Sequence, residues 1–112
     1  MKNVIEIGGH KAVVSYDPEI GMFRGDFIDL AGGADFYATS VEALHSEGQA
    51  SLKVYLEVCA ERGIEPFRSF SGRFNVRLNP QVHEAAVTAA AAENKSLNEW
   101  VAQVLADAAK AS

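Results

Sequence analysis

Three polar side chains spaced two apart, Arg73, Asn75 and Arg77, are the residues of this chain best matched to a chemical task. In Gly72-Arg73-Phe74-Asn75-Val76-Arg77-Leu78 the alternation is strict. A period of two puts Arg73, Asn75 and Arg77 on one face of an extended segment, and Phe74, Val76 and Leu78 on the other. An arginine fork matches guanine O6 and N7, an asparagine amide matches adenine N6 and N7, and a two-stranded ribbon fits the major groove of B-DNA. These three are the expected base contacts. Lys95, Ser96 and Asn98 form a second group, in which free helix amides beside an ammonium suit a backbone phosphate. The plainer uses of the same residues are an edge strand blunted by charge and an ordinary helix cap.

The carboxylates invite a different chemistry, metal-assisted cleavage of nucleic acid, which needs several of them converging on metal ions. Asp17 and Glu19 fall in a turn, Asp26, Asp29 and Asp35 near strand ends, and Glu42 at a helix start, so no converging set is expected. His10 and His45 lack a ligand spacing, His83 sits in the first turn of a helix and is expected to be exposed, and Cys59 reads as a small buried hydrophobe. The sequence therefore predicts no catalytic residue, no metal and no cofactor.

The chain has 112 residues, of which 48% are hydrophobic and 22% charged, the composition of a packed domain rather than a disordered one. The longest apolar run, within Ala85–Ala92, is broken by Thr88 and falls far short of the ~20 residues of a membrane span. Glu6 and Gly8-Gly9 interrupt the N-terminus before a secretory apolar region can form, and one cysteine cannot make an internal disulfide. A cytoplasmic location is expected. The net charge of −5 is unevenly spread: residues 1–66 carry five cations against eleven carboxylates, whereas residues 67–112 carry five against four. Three arginines, Arg68, Arg73 and Arg77, fall within ten residues. An acidic body joined to a locally basic segment suggests two partners of opposite charge.

These residues need elements to position them. Val4–Ile7, Ala12–Tyr16, Met22–Leu30 and Ala34–Ala38 read as strands, separated by Gly8-Gly9, by the turn Asp17-Pro18-Glu19-Ile20-Gly21 and by Gly32-Gly33. Thr39-x-x-Glu42 is a capping-box pattern opening a helix to Arg62 and Gly63, with Val41, Leu44, Gly48, Leu52, Tyr55, Leu56 and Cys59 as its buried stripe. The first unit, residues 1–65, is thus an antiparallel sheet with one helix. Residues 66–71 read as a linker. Residues 72–112 read as one strand, a helix capped by Asn79 and Pro80 and running to about Glu93, a turn at Asn94-Lys95, and a helix opened by a second capping box, Ser96-x-x-Glu99.

A lone strand leaves backbone groups unpaired, and two short Ala-rich helices bury little surface. Antiparallel pairing with the same strand of a second chain meets both needs. Phe74, Val76 and Leu78, with Trp100, Val101 and Leu105, would then form the core of a homodimer, with further assembly into tetramers left open.

The arrangement resembles the ribbon–helix–helix DNA-binding fold, and the wider sequence resembles the HicB-type antitoxins of type II toxin–antitoxin systems. The residues that carry the likeness are Tyr16-Asp17-Pro18-Glu19, Tyr55-Leu56-Glu57-Val58-Cys59-Ala60-Glu61-Arg62-Gly63, Ser71-Gly72-Arg73-Phe74-Asn75-Val76-Arg77-Leu78 and Lys95-Ser96-Leu97-Asn98-Glu99-Trp100-Val101. Gly32-Gly33-Ala34-Asp35 departs from it, standing where the family more often shows a β-branched run. The resemblance implies a catalytically inactive, partial RNase H-like unit that blocks a small basic RNase toxin of HicA type, and a C-terminal unit that binds operator DNA of its own operon. A free-standing regulator whose first unit senses a small ligand is the alternative, and a metal-dependent nuclease ranks below both.

Overall fold

The computed structural model describes residues 3–111 and divides into two compact units, one of Asn3–Ser71 and one beginning at Gly72. The first is an α+β unit. Strands β1 (Val4–Ile7), β2 (His10–Asp17), β3 (Met22–Phe27) and β4 (Asp35–Ala38) form an antiparallel sheet in the order β1-β2-β3-β4. Gly8 and Gly9, both at positive φ (58° and 83°), close the β1–β2 hairpin so that Ile7 faces His10. In the β2–β3 turn Asp17 Oδ1 accepts the Glu19 amide at 3.0 Å, and Gly21 takes a φ of 64°.

Alternation then divides the sheet into two faces. Ile7, Ala12, Phe27, Phe36 and Ala38 are buried together with Leu30 and with Leu44 and Leu52 of α1 (Val41–Arg62). Helix α1 lies against β4, β3 and β1. Phe36 is the central ring, 5.1 Å from Phe27, and it fits because Gly25 of β3 and Gly48 of α1 offer it no side chain. Of the expected stripe, Leu44, Gly48, Leu52 and Cys59 are buried and Tyr55 and Leu56 half-buried, while Val41 is exposed.

Three boundaries differ from expectation for local reasons. The cap of α1 is Ser40, not Thr39: Ser40 Oγ accepts the Ala43 amide at 3.1 Å. The third helical residue is then alanine, so the Thr39–Glu42 box does not form. Strand β3 ends at Phe27, because Leu30 leaves the ladder to bridge Phe67. The segment expected as a linker is held to the first unit at its start. Ala31 N–H donates to Pro66 O (2.9 Å) and Arg68 N–H to Asp29 O (3.0 Å). Tyr55 Oη joins the two sides, accepting the Gly32 amide at 2.9 Å and donating to Pro66 O at 2.7 Å. His10 stacks on Phe67 at 4.7 Å while its Nδ1 lies 2.7 Å from Asp29 Oδ2.

The second unit holds α2 (Pro80–Ala92) and α3 (Leu97–Ala111). Asn79 caps α2 through Oδ1, which accepts the Val82 amide at 2.9 Å, and Pro80 stands at the first helical turn. Asn94, at a φ of 56°, reverses the chain. The expected box at α3 forms in full: Glu99 N–H donates to Ser96 Oγ at 3.1 Å and Ser96 N–H to Glu99 Oε1 at 3.2 Å. Gly72–Leu78 joins no ladder among the described residues.

Candidate nucleic-acid interface

Every residue from Gly72 to Asn79 is exposed. For Arg73, Asn75 and Arg77 that is what base contact requires. For their apolar neighbours it is costly: Phe74 is 71% exposed, Val76 58% and Leu78 48%. Full burial of such a side chain is worth roughly 1.5–3 kcal/mol, so the arrangement forgoes a large part of its available stabilisation. The helices share the deficit, since only Ala86 and Ala90 are buried in α2, and Val82, Val104 and Leu105 stay exposed.

The exposed apolar groups are not scattered. A groove of about 680 Å³ is lined by Val76, Leu78, Trp100, Val101 and Leu105, among others. A second runs past Arg73, Phe74, Asn75, Val76, Asn98, Val101 and Leu105. The six residues expected in a dimer core thus line this pair of adjoining grooves, which shares Val76, Val101 and Leu105. Arg73 and Asn75 border it, so in the single chain the polar and apolar faces of this stretch are incompletely separated.

The expected phosphate site is more engaged than its sequence suggests. Ser96 and Glu99 satisfy each other's amides, which leaves Leu97 and Asn98 as the amides of that turn available to an anion. The hydroxyl of Ser96, followed by its amide, holds the Glu99 carboxyl below its ordinary range. Lys95 Nζ lies 3.4 Å from Glu93 Oε1, and Trp100 Nε1 donates to Glu93 Oε2 at 2.8 Å. This Glu93 clasp across the α2–α3 turn was not visible in the helical periodicity. The seven-residue separation of Glu93 and Trp100 spans a chain reversal whose geometry no spacing rule supplies.

The acidic residues also depart from expectation at one point. Asp26 and Asp35 face each other in the β3–β4 register. Like charges directly opposite destabilise a sheet. Arg24 answers this from the same face, with Nη2 3.1 Å from Asp35 and 3.8 Å from Asp26. Tyr37 Oη adds a bond to Asp35 at 3.3 Å. Asp35 beside it holds the Arg24 guanidinium above its ordinary value. Two carboxylates do meet, then, but around a fixed cation of the chain's own. Among the described residues no group of three or more His, Cys, Asp or Glu is gathered for a metal ion. Asp29 is engaged by His10, His83 is exposed, and Cys59 is buried on α1. No helix of the described residues is long and apolar enough to cross a membrane.

A four-stranded antiparallel sheet carrying one helix, followed by a basic alternating segment and two helices, defines a two-unit α+β protein. Among known families, the model of the HicB family matches residues 55–105, from Tyr55 in α1 to Leu105 in α3. The match supports a HicB-type reading of this region. No curated protein and no solved structure matches the chain.

Proposed function

We propose that this protein is a non-enzymatic antitoxin and autorepressor. Its first unit, a partial RNase H-like fold, neutralises a small basic RNase of HicA type. Its second unit dimerises as a ribbon–helix–helix and binds operator DNA in the major groove. The observation that carries the reading is the bare apolar strip of Phe74, Val76 and Leu78 interleaved with Arg73, Asn75 and Arg77. Pairing two such strips about a two-fold axis would cover the apolar groups on α3, give the backbone of residues 74–78 ladder partners and leave six polar side chains on the outer surface. Ser96 and Lys95 would then anchor the flanking phosphates through the Leu97 and Asn98 amides.

The first unit supports the other half by charge. It contains eleven of the fifteen carboxylates, an arrangement that repels nucleic acid and steers a basic protein. The Arg24 guanidinium between Asp26 and Asp35 engages two of these carboxylates within the unit, which favours a binding role for the acids over metal-dependent cleavage.

The test begins with whether an adjacent reading frame encodes a small basic protein, then co-expresses that protein with this chain and sizes the complex; the absence of such a frame would count against the antitoxin assignment. Binding to DNA from upstream of the frame is measured in parallel against a scrambled duplex. A stable complex together with at least a hundredfold preference for the upstream DNA is the expected result. A folded monomer with no sequence preference would remove the DNA assignment, and a failure to associate would remove the antitoxin assignment.

A further inference from the structure

The outer side of α1 carries features that its own unit does not use. Glu47, Ala50, Val54, Glu57, Val58 and Glu61 recur at three- and four-residue intervals and are all exposed, opposite the buried stripe of Leu44, Gly48, Leu52 and Cys59. At 1.5 Å per residue the row is about 21 Å long.

Two local rules are broken along it. Val54 is 59% exposed and Val58 38%, although a solvent-facing helix position is better filled by a straight-chain residue or alanine. Glu57 and Glu61, one turn apart, repel each other, and among the described residues neither they nor Glu47 form an ion pair. Such departures without gain inside the fold are the mark of a surface shaped for something else.

The charge decides what that is. Lys53, exposed one turn before Glu57, borders the row, but three carboxylates leave the face net negative, so a second copy, nucleic acid or an anionic membrane would be repelled. A cationic protein surface with an apolar centre meets both the valines and the glutamates. Resting on the antitoxin reading, we infer that this face of α1 is the docking surface for the basic toxin, with Val54 and Val58 as the apolar contact and Glu47, Glu57 and Glu61 as its charged border. Charged border residues set association rate and salt dependence, while the apolar centre sets residence time.

The experiment uses the full chain and a small basic protein found by the adjacent-frame search above, with association followed by surface plasmon resonance at two salt concentrations. Glu57→Lys/Glu61→Lys should slow association at least tenfold at low salt. Val54→Ala/Val58→Ala should raise Kd at least tenfold while leaving the unfolding midpoint equal or higher, because alanine favours the helix. Glu6→Lys/Glu19→Lys makes the same change in net charge elsewhere on the unit and should stay within threefold of the parent. If the parent binds and both α1 pairs also stay within threefold, the docking face is elsewhere and the antitoxin reading survives. If the parent does not bind, that reading fails and the inference falls with it.

Discussion

Trp100 donates its indole N–H to Glu93 Oε2 at 2.8 Å, and Lys95 reaches the other oxygen of the same carboxylate at 3.4 Å. One side chain at the end of α2 thereby fixes the start of α3. The pair is solvent-exposed, so its worth is that of a modest hydrogen bond, about 1 kcal/mol. Glu93→Ala should lower the stability of the second unit by that amount, and Glu93→Gln, which keeps one acceptor, by less. Trp100 is the chain's one tryptophan, so its fluorescence during urea unfolding reports this unit directly.

The Ser96–Glu99 box gives the same unit a dependence on pH. The Ser96 hydroxyl and amide bind the ionised carboxyl of Glu99 and hold it below the ordinary value of 4.5. A depressed carboxyl pKa contributes stability that is fully present above the unfolded value and is lost as pH falls through the folded one. The difference between parent and Glu99→Gln should therefore be constant from neutral pH down to about 4.5 and shrink below it. A difference that persisted unchanged into strong acid would show that the ionised form is not the one bound.

Phe36 occupies space left by two glycines. A methyl group at Gly25 or at Gly48 would overlap its ring, and at Gly48 would also meet the Ile7 side chain. Gly48→Ala should destabilise the first unit by roughly 1–3 kcal/mol of overpacking, although alanine is otherwise the better helix former by about 1 kcal/mol. Pairing it with Ile7→Val, which removes the Cδ1 nearest to that methyl, should recover part of the loss. Circular dichroism during thermal unfolding distinguishes the two effects by sign.

How much of this could be read in advance depended on how local the cause was. The Asp17–Gly21 turn, the Asn79–Pro80 start and the Ser96–Glu99 box each arise within five residues, and each is present. The α1 cap moved by one residue because Thr39 and Ser40 offer the same hydroxyl, and sequence cannot rank them. Contacts across long separations were not legible at all: Tyr55 to Pro66 and Gly32, His10 to Asp29 and Phe67, and Arg24 between two aspartates all depend on packing. For the candidate interface, alternation named a pattern of residues, and the structure leaves all of them exposed. Their proposed pairing needs a second chain.

That requirement is itself testable. If Phe74, Val76 and Leu78 meet their symmetry mates, Val76→Asp buries an unpaired charge in the ribbon, a cost larger than the unit can bear. The variant should sediment as a monomer and lose the cooperative Trp100 transition while the first unit still unfolds normally. Retention of the parent's mass would remove the intermolecular ribbon.

Operator binding separates base readout from phosphate anchoring. Arg73→Ala or Arg77→Ala removes a bidentate donor to a base and should cost roughly 1–3 kcal/mol on the upstream DNA, with the loss concentrated on particular base pairs. Asn75→Ala should behave likewise at an adenine. Lys95→Ala removes a charge without sequence information, so it should weaken specific and scrambled duplexes alike and reduce the salt slope by about one per subunit. Titrations of each variant on both duplexes at three salt concentrations distinguish the classes. If Arg73→Ala and Lys95→Ala behaved identically, the alternating segment would be an electrostatic clamp and not a reader of sequence.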